Sequence, residues 1–394
     1  MVVILSEGRL LGDTAGVELV ADYMIVPMTV IVILTYVGIL GIAFPLISKI
    51  KVQPVSWLLQ KDDRSFGYVL FLLQLIFIYF FTSTGTFVAG STVRSESVWT
   101  VFWVLINVDT LFFIYYGFSR ESRTFIPNLV IAVISNVLRG WSGIFIWVIF
   151  MESARLIRSG RLSFSKIFFG SIFVVLMYPL IYIIKLQVRL LLSDSGVDFN
   201  DMDIMSLNLS SFGYENYLDL LVGSFLQIFE RLQLISSQLV VYQYSLELAD
   251  GLFSGLIAPF WMEGIHGIAY ERIFGLEPVV NLGVSLANLI DPVQVEINWN
   301  ANPGYASWFF LSPFLAPLYV AYTLGLIFVA VWLVKRMSVR ISSMDMLWFA
   351  CLLYVVPGWL ASFVLFVHSL IIFYLFHAIA KGFTVSRLIE VKNI

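Results

Sequence analysis

The chain carries little charge. Asp, Glu, Lys and Arg make up 12% of its 394 residues, against about 25% in soluble domains. With a net charge of −3, no nucleic-acid partner is expected. The single cysteine, Cys351, excludes an internal disulfide and lies in an apolar run, which predicts packing in a core or against lipid. Three scattered histidines are too few for a metal site, so we expect no metal. No cofactor is predicted for the chain either.

Several catalytic motifs are also missing. There is no Walker Gly-Lys-Ser/Thr sequence, no His-Glu-x-x-His and no Gly-x-Ser-x-Gly. These absences argue against a P-loop ATPase, a zinc metalloprotease and a serine hydrolase. The acidic cluster within 194–203 lacks the glycine and terminal glutamate of an EF-hand loop, so we interpret it as solvated.

Long apolar runs dominate the chain instead. It is 60% hydrophobic, and several charge-free runs reach 18 or more residues, enough to cross a hydrocarbon core of ~30 Å. Because these runs are continuous rather than alternating, they predict an all-α polytopic membrane protein and not a β-barrel. The predicted spans are 23–47, 66–89, 98–118, a pair within 124–157, 167–188, 305–334 and a pair within 343–380.

The two pairs are predicted to be helical hairpins. A single helix over 124–157 would extend about 51 Å, too long for one crossing. We therefore predict breaks at Arg139-Gly140 and at Pro357-Gly358. A further helix is predicted over 217–248, lying on the outer leaflet as an amphipathic helix or contributing one or two further spans. The total is then about nine to eleven transmembrane helices within one membrane domain, 1–394.

The basic residues are distributed unevenly. Sixteen of the 23 Lys and Arg residues lie in five short segments, 49–64, 120–123, 155–166, 335–340 and 381–392. The positive-inside rule places such segments in the cytoplasm. The stretch 190–304 has fourteen acidic residues and only Arg231 and Arg272, which predicts one large extracytoplasmic loop. Alternation then puts the N-terminus outside and the C-terminus inside.

Three arginines are candidates for binding an anion. Arg139 interrupts an apolar stretch, and an intramembrane arginine is by default a functional hypothesis; snorkelling at a helix end is the alternative. Asp109 also lies within a predicted span. Arg231 and Arg272 suit bidentate phosphate binding, although salt bridges to acids of the same loop explain them equally well.

Two stretches of the loop carry further candidates. Glu263 and His266 lie three residues apart and would share a helix face, where either side chain could take a proton from a hydroxyl. An ordinary surface glutamate and a capping histidine are the alternative. Asn298, Trp299 and Asn300 are suited to lining a sugar site, since amides bond hydroxyls and indoles stack on sugar rings. They also fit an ordinary turn before the next helix.

The stretch Asn136-Val-Leu-Arg139-Gly140-Trp141-Ser142-Gly143, in a predicted hairpin before a dominant loop with isolated arginines, resembles the bacterial O-antigen polymerases (Wzy-type oligosaccharide repeat-unit polymerases). The resemblance covers most of the chain in layout and a handful of residues in motif. It implies a GT-C-like glycosyltransferase of the bacterial inner membrane, with its active site facing the periplasm.

Such an enzyme would transfer a growing glycan from undecaprenyl pyrophosphate onto the non-reducing end of a new lipid-linked repeat unit. By this resemblance, Arg139, Arg231 and Arg272 would hold the pyrophosphate, and Glu263 or His266 would activate the acceptor hydroxyl. Sugar contacts would come from a set of amide and indole side chains: Asn136, Trp141, Trp261, Asn298, Trp299 and Asn300. A chain-length regulator is the implied partner, together with membrane lipid. An O-antigen ligase and a lipid-linked oligosaccharide flippase are the alternatives, and the long acidic loop disfavours the flippase.

Overall fold

The computed structural model describes residues 10–14, 16–55, 64–88, 97–141, 143–160, 233–275, 279–290, 301–337 and 340–392, with a few isolated positions between them. Over these residues the chain is helical, and its only extended pairing is a single bridge between Ile257 and Val280. The all-α prediction is therefore confirmed for this part of the chain.

The helices are, in chain order, α1 (Asp22–Ile47), α2 (Arg64–Thr84), α3 (Val98–Leu105), α4 (Val108–Ser119), α5 (Phe125–Leu138), α6 (Gly143–Arg158), α7 (Ile235–Gln243), α8 (Ser245–Phe253), α9 (Ile265–Phe274), α10 (Leu282–Ile290), α11 (Ser307–Leu311), α12 (Ala316–Met337), α13 (Ile341–Val355) and α14 (Leu360–Lys392). Helix α1 contains a π-helical stretch, Val37–Ala43, and α13 ends in another, Cys351–Val355.

Five segments among the described residues are long and apolar enough to cross a membrane: Asp22–Ile47, Arg64–Thr84, Val98–Ser119, Ala316–Met337 and Leu360–Ile379. They match five of the predicted spans, and they identify the chain as a helical membrane protein. The predicted span 167–188 lies outside the described residues. The total of nine to eleven spans stays a prediction.

The chain breaks its helices where the sequence supplies a local reason. Both predicted hairpin breaks are confirmed, with Gly140 (φ 71°) and Gly358 (φ 79°) in the left-handed region that favours glycine. The predicted span 98–118 is divided into two helices, because α3 ends at Leu105 and Asn107 begins α4. The Asn107 side chain accepts a hydrogen bond from the Thr110 N–H at 2.9 Å, as an N-cap residue does. Span 305–334 is likewise divided at residues 312–315, where Pro313 cannot donate to a helix.

Helix α4 is the centre of the bundle. Eleven of its twelve residues are buried, and it packs against α2, α5, α13 and α14. An apolar helix with no exposed face has no stripe for lipid, so its neighbours on every side are other helices.

Four of the basic segments meet at one end of this bundle. Lys335 at the end of α12 donates to the carbonyls of Ser48 and Ile50, the second at 2.8 Å. Arg340 donates to the Phe118 carbonyl at 2.6 Å, and Arg158 pairs with Asp345. The cations thus satisfy carbonyls at helix ends. The common location agrees with segments that share one side of a membrane.

The predicted helix over 217–248 differs from the structure where it is described. The chain forms α7 and α8 there, separated at Tyr244. Six of the nine residues of α7 are buried, and the helix packs against α1 and α11. The hydrophobic residues of α7 are therefore mostly covered by protein. Most of 217–232 lies outside the described residues, so an amphipathic helix there stays a prediction. The sequence alone could not tell these two environments apart, since both need apolar side chains.

The break after α13 docks onto the segment before α11. The N–H of Gly304 donates to the Pro357 carbonyl at 2.8 Å, and the N–H of Tyr305 donates to the Val356 carbonyl at 3.1 Å. A Cβ on Gly358 would lie 2.8 Å from the Gly304 carbonyl oxygen. Because this oxygen belongs to the backbone, it cannot relieve the overlap by a change of rotamer.

We therefore expect Gly358→Ala to lower the free energy of unfolding by about 1–3 kcal/mol, from the left-handed φ and the steric overlap together. The thermal unfolding midpoint of the detergent-solubilised protein measures this. Gly325→Ala in α12 is the control, because a Cβ there meets nothing within 4 Å and alanine favours the helix. Equal midpoints for the two variants would contradict the docking argument.

Candidate functional site

Glu263 lies at a junction of three chain segments. A single 3-10 turn, Phe260–Met262, leads into Glu263, which is extended (φ −69°, ψ 126°). Gly264 follows with φ 107° and starts α9. Glu263 therefore precedes the helix that carries His266, and the two side chains do not share a helix face as predicted. The glycine decides this, because its backbone angle is closed to most other residues.

The Glu263 side chain is directed at the beginnings of two helices. Its carboxyl lies near the backbone N–H groups of Leu282 and Ala361, which act to lower its pKa. Leu282 is the first residue of α10, and Ala361 is the second residue of α14. The first N–H groups of a helix have no partner within it, and their positive end attracts a carboxylate. Glu263 thus joins α10 to α14.

Burial has the largest influence on the pKa of the Glu263 carboxyl. Removal from water raises the pKa of Glu263 to about 8, and the two backbone N–H groups act in the opposite direction. Desolvation disfavours the charged form of an acid, whereas hydrogen bonds to the carboxylate favour it. A group that titrates near neutral pH can both give and take a proton under ordinary conditions.

A small open cleft borders Glu263, and it has room for about one water molecule between the side chains. Its wall includes an indole, an amide and a hydroxyl, together with two glycines and two small apolar residues: Trp359, Asn281, Ser362, Gly283, Gly358, Pro303 and Ala361. The Trp359 Nε1 is buried without a hydrogen-bond partner. Polar groups of this kind are suited to a hydroxyl-bearing ligand, since each can donate to or accept from a sugar oxygen.

His266 lies at the surface beside this junction. Its Nε2 contacts the Trp261 carbonyl oxygen and lies 3.5 Å from the Tyr322 hydroxyl of α12. The Trp261 indole is partly exposed and packs edge-on against Phe260. The structure thus brings Trp261, Glu263 and His266 into one region, as the sequence suggested, but the imidazole is engaged with a backbone carbonyl.

Arg139 lies in a different part of the molecule. Its side chain is 1% exposed, and its Nη2 contacts both carboxylate oxygens of Asp109 at 2.7 Å. The Nε donates to the Ser135 carbonyl at 3.2 Å. The guanidinium is therefore buried in an ion pair rather than snorkelling at a helix end.

Aromatic rings and an amide complete the surroundings of this pair. The Arg139 guanidinium carbon lies 4.4 Å from the centre of the Trp141 ring and 5.0 Å from that of Phe77. Asn136 donates to Asp109 at 2.9 Å and is itself buried. Of the candidates in this hairpin, Trp141 alone is exposed. The cluster fastens the hairpin turn between α5 and α6 to the start of α4.

The remaining candidates are only partly described. Arg272 lies on α9, but its side chain is outside the described residues. Arg231, Asn298, Trp299 and Asn300 are outside them altogether.

Sequence reasoning missed the partners that make each site. Asp109 was noted as an intramembrane charge, and its opposite charge to Arg139 was the signal that the two could pair. Asn281, Trp359 and Ser362 gave no signal, because the pocket depends on helices that are far apart in sequence.

The raised pKa of Glu263 predicts a pH-dependent stability. Above pH 4.5, its ordinary pKa, the unfolded carboxyl loses its proton while the folded one keeps it until about pH 8. The contribution of Glu263 to the free energy of unfolding is therefore complete below pH 4.5 and is lost as the pH rises through 8. The thermal midpoint should fall across this window in wild type and fall less in Glu263→Gln. Parallel curves for the two proteins would contradict the assignment.

The fold and the site define a class: a helical membrane protein with a buried carboxyl that lies between the starts of two helices and borders a small polar cleft. No protein-family model, curated protein or solved structure matches this chain.

Proposed function

We propose that this protein is a membrane glycosyltransferase that polymerises undecaprenyl-pyrophosphate-linked repeat units into O-antigen or a related surface polysaccharide. The observation that carries the proposal is Glu263: a buried carboxyl with a pKa of about 8 that borders a pocket of hydrogen-bonding groups. The resemblance of the Arg139–Gly143 hairpin to O-antigen polymerases supplies the substrate class.

The location of the pocket supports this proposal. Tyr322, which contacts His266, and Lys335, which lies in the basic cluster, are both on α12. Thirteen residues of helix separate them, or about 20 Å along the axis. The Glu263 pocket therefore lies well away from the basic end, which the positive-inside rule assigns to the cytoplasm. In our proposal the pocket faces the periplasm, where lipid-linked sugars are used.

The proposed reaction uses Glu263 as a general base. The carboxylate takes the proton of the acceptor hydroxyl, and the acceptor oxygen forms a bond to the anomeric carbon of the donor glycan. The bond from that carbon to the phosphate oxygen breaks, and undecaprenyl pyrophosphate leaves with the electron pair. Asn281, Trp359 and Ser362 would hold the acceptor by hydrogen bonds.

The pyrophosphate would be bound by Arg231 and Arg272, since cations stabilise charge as it develops on a leaving group. Arg139 is less suited to this role in the described structure, because Asp109 already neutralises its guanidinium. We propose that Arg139 instead fixes the hairpin.

A lipopolysaccharide gel tests the function. Cells deleted for this gene should lose the ladder of long chains and keep a band of lipid core plus one repeat unit. Complementation with the wild-type gene should restore the ladder. Loss of every sugar-bearing band would point to ligation or flipping and would overturn the proposal. Accumulation of lipid-linked units in the cytoplasmic leaflet would identify a flippase.

A further inference from the structure

Helix α9 exposes an apolar face beside the pocket. Ile273 and Phe274 are 76% and 63% exposed, and Tyr270 stacks near Phe274 with ring centres 4.6 Å apart. Together with His266 and Ala269 these residues have the i, i+3, i+4, i+7, i+8 spacing of one helix face. Outside this face, Gly267 lies against the Met262 carbonyl and Glu271 accepts from the Val279 N–H, whereas Ile268 is 42% exposed.

The contacts of α9 give its depth relative to two candidate spans. Gly264, which precedes the helix, lies against Val364, four residues into α14. His266 contacts Tyr322, six residues into α12. At 1.5 Å per residue, α9 begins about 6–9 Å below the outer ends of both spans. Amphipathic helices at a bilayer surface bury their apolar face to about this depth, ~5–10 Å.

The flanking residues have the composition of a membrane interface. Trp261, Tyr270 and Tyr322 lie around α9, and ring systems with one polar atom concentrate at the level of lipid headgroups. The exposed side chains of α12 at this end, Phe314 just before it and Leu318 in its first turn, are also apolar. Exposed apolar side chains at this end of α12 are what a helix surrounded by lipid requires.

We infer that α9 is an interfacial membrane helix, whose apolar face lies in the acyl-chain boundary of the leaflet at the pocket end of the bundle. This role is independent of the proposed activity, because it rests only on exposure and on depth. Insertion of this apolar face into the leaflet would hold the Glu263 junction at the surface of the bilayer.

Spin labelling tests the inference in the full-length protein. Cys351 is the only cysteine and is buried, so a Cys351→Ala background carries one label at Ile273→Cys. The protein is reconstituted into phosphatidylcholine vesicles, and collisions of the nitroxide with oxygen and with a water-soluble nickel chelate are compared. Glu247→Cys, at an exposed acidic position on α8, is the matched control.

At position 273, we expect the nitroxide to collide with oxygen several-fold more often than with the nickel chelate. At position 247, we expect collisions with the nickel chelate to be the more frequent. If the chelate dominates at 273 as well, the face is in water and the inference fails. Weak collisions with both reagents would mean that another protein surface, such as a second copy, covers the helix, and would overturn it equally. Tyr270→Cys on the same face gives an independent reading should Ile273→Cys not fold.

Discussion

Glu263→Gln is expected to abolish chain elongation while the protein remains folded. Glutamine has the shape of the protonated glutamate that predominates below pH 8, so the junction of α10 and α14 keeps its neutral partner. It cannot accept a proton at neutral pH. Loss of a general base typically costs about 10²–10⁴-fold in rate. The measurement is polymer formation by purified protein from lipid-linked repeat units, together with the gel ladder in complemented cells.

A second variant, Glu271→Gln, distinguishes loss of the proposed base from loss of a negative charge in the same loop. Glu271→Gln removes a carboxylate from the same loop, and Glu271 also accepts a backbone N–H, that of Val279 at 3.2 Å. Since Glu271 does not border the pocket, its variant should retain the ladder. Equal loss in both variants, or full activity in a well-expressed Glu263→Gln, would remove Glu263 from the proposed mechanism.

The rate should also rise with pH. The base acts as a carboxylate, and its ionised fraction grows about tenfold per unit below its pKa. Because the pKa of Glu263 is raised to about 8 by burial, kcat/KM for the acceptor should increase up to about pH 8 and then level off. The residual rate of Glu263→Gln should be flat over the same range. A wild-type profile that is level from pH 5 would exclude this carboxyl as the base.

Arg139→Gln is expected to be the most destabilising single substitution in the hairpin. It would leave the Asp109 carboxylate without its cation, and it would remove the guanidinium that lies against Phe77, Phe81 and Trp141. Removing one partner of a buried ion pair costs about 3–5 kcal/mol. Protein level in the membrane and the thermal midpoint should both drop sharply.

The double variant Asp109→Asn/Arg139→Gln distinguishes a structural role from pyrophosphate binding. Two neutral amides can hydrogen-bond each other, and no uncompensated charge remains, so the midpoint should recover most of the loss. If Arg139 only fixes the hairpin, the ladder should return with the protein. A double variant that is abundant and stable but makes no long chains would restore Arg139 to the pyrophosphate site.

The sequence by itself determined the class of the protein. Continuous apolar runs can satisfy their backbone only as helices in lipid, so the spans followed from length and hydropathy. The hairpin breaks followed from Gly140 and from Pro357-Gly358, because these residues act through their own backbone angles. Glu263 stood out because it lies three residues from the only histidine of the loop, and Arg139 because a charge among apolar residues is costly.

Tertiary structure alone decided what these residues do. Glu263 meets Leu282 and Ala361, and Arg139 meets Asp109, thirty residues away in sequence. Whether α7 packs against other helices was also open from the sequence, because only the tertiary structure shows which side chains another helix covers. Local sequence fixes backbone angles and burial preference. Partners, pKa values and access arise from segments that the chain brings together only when it folds.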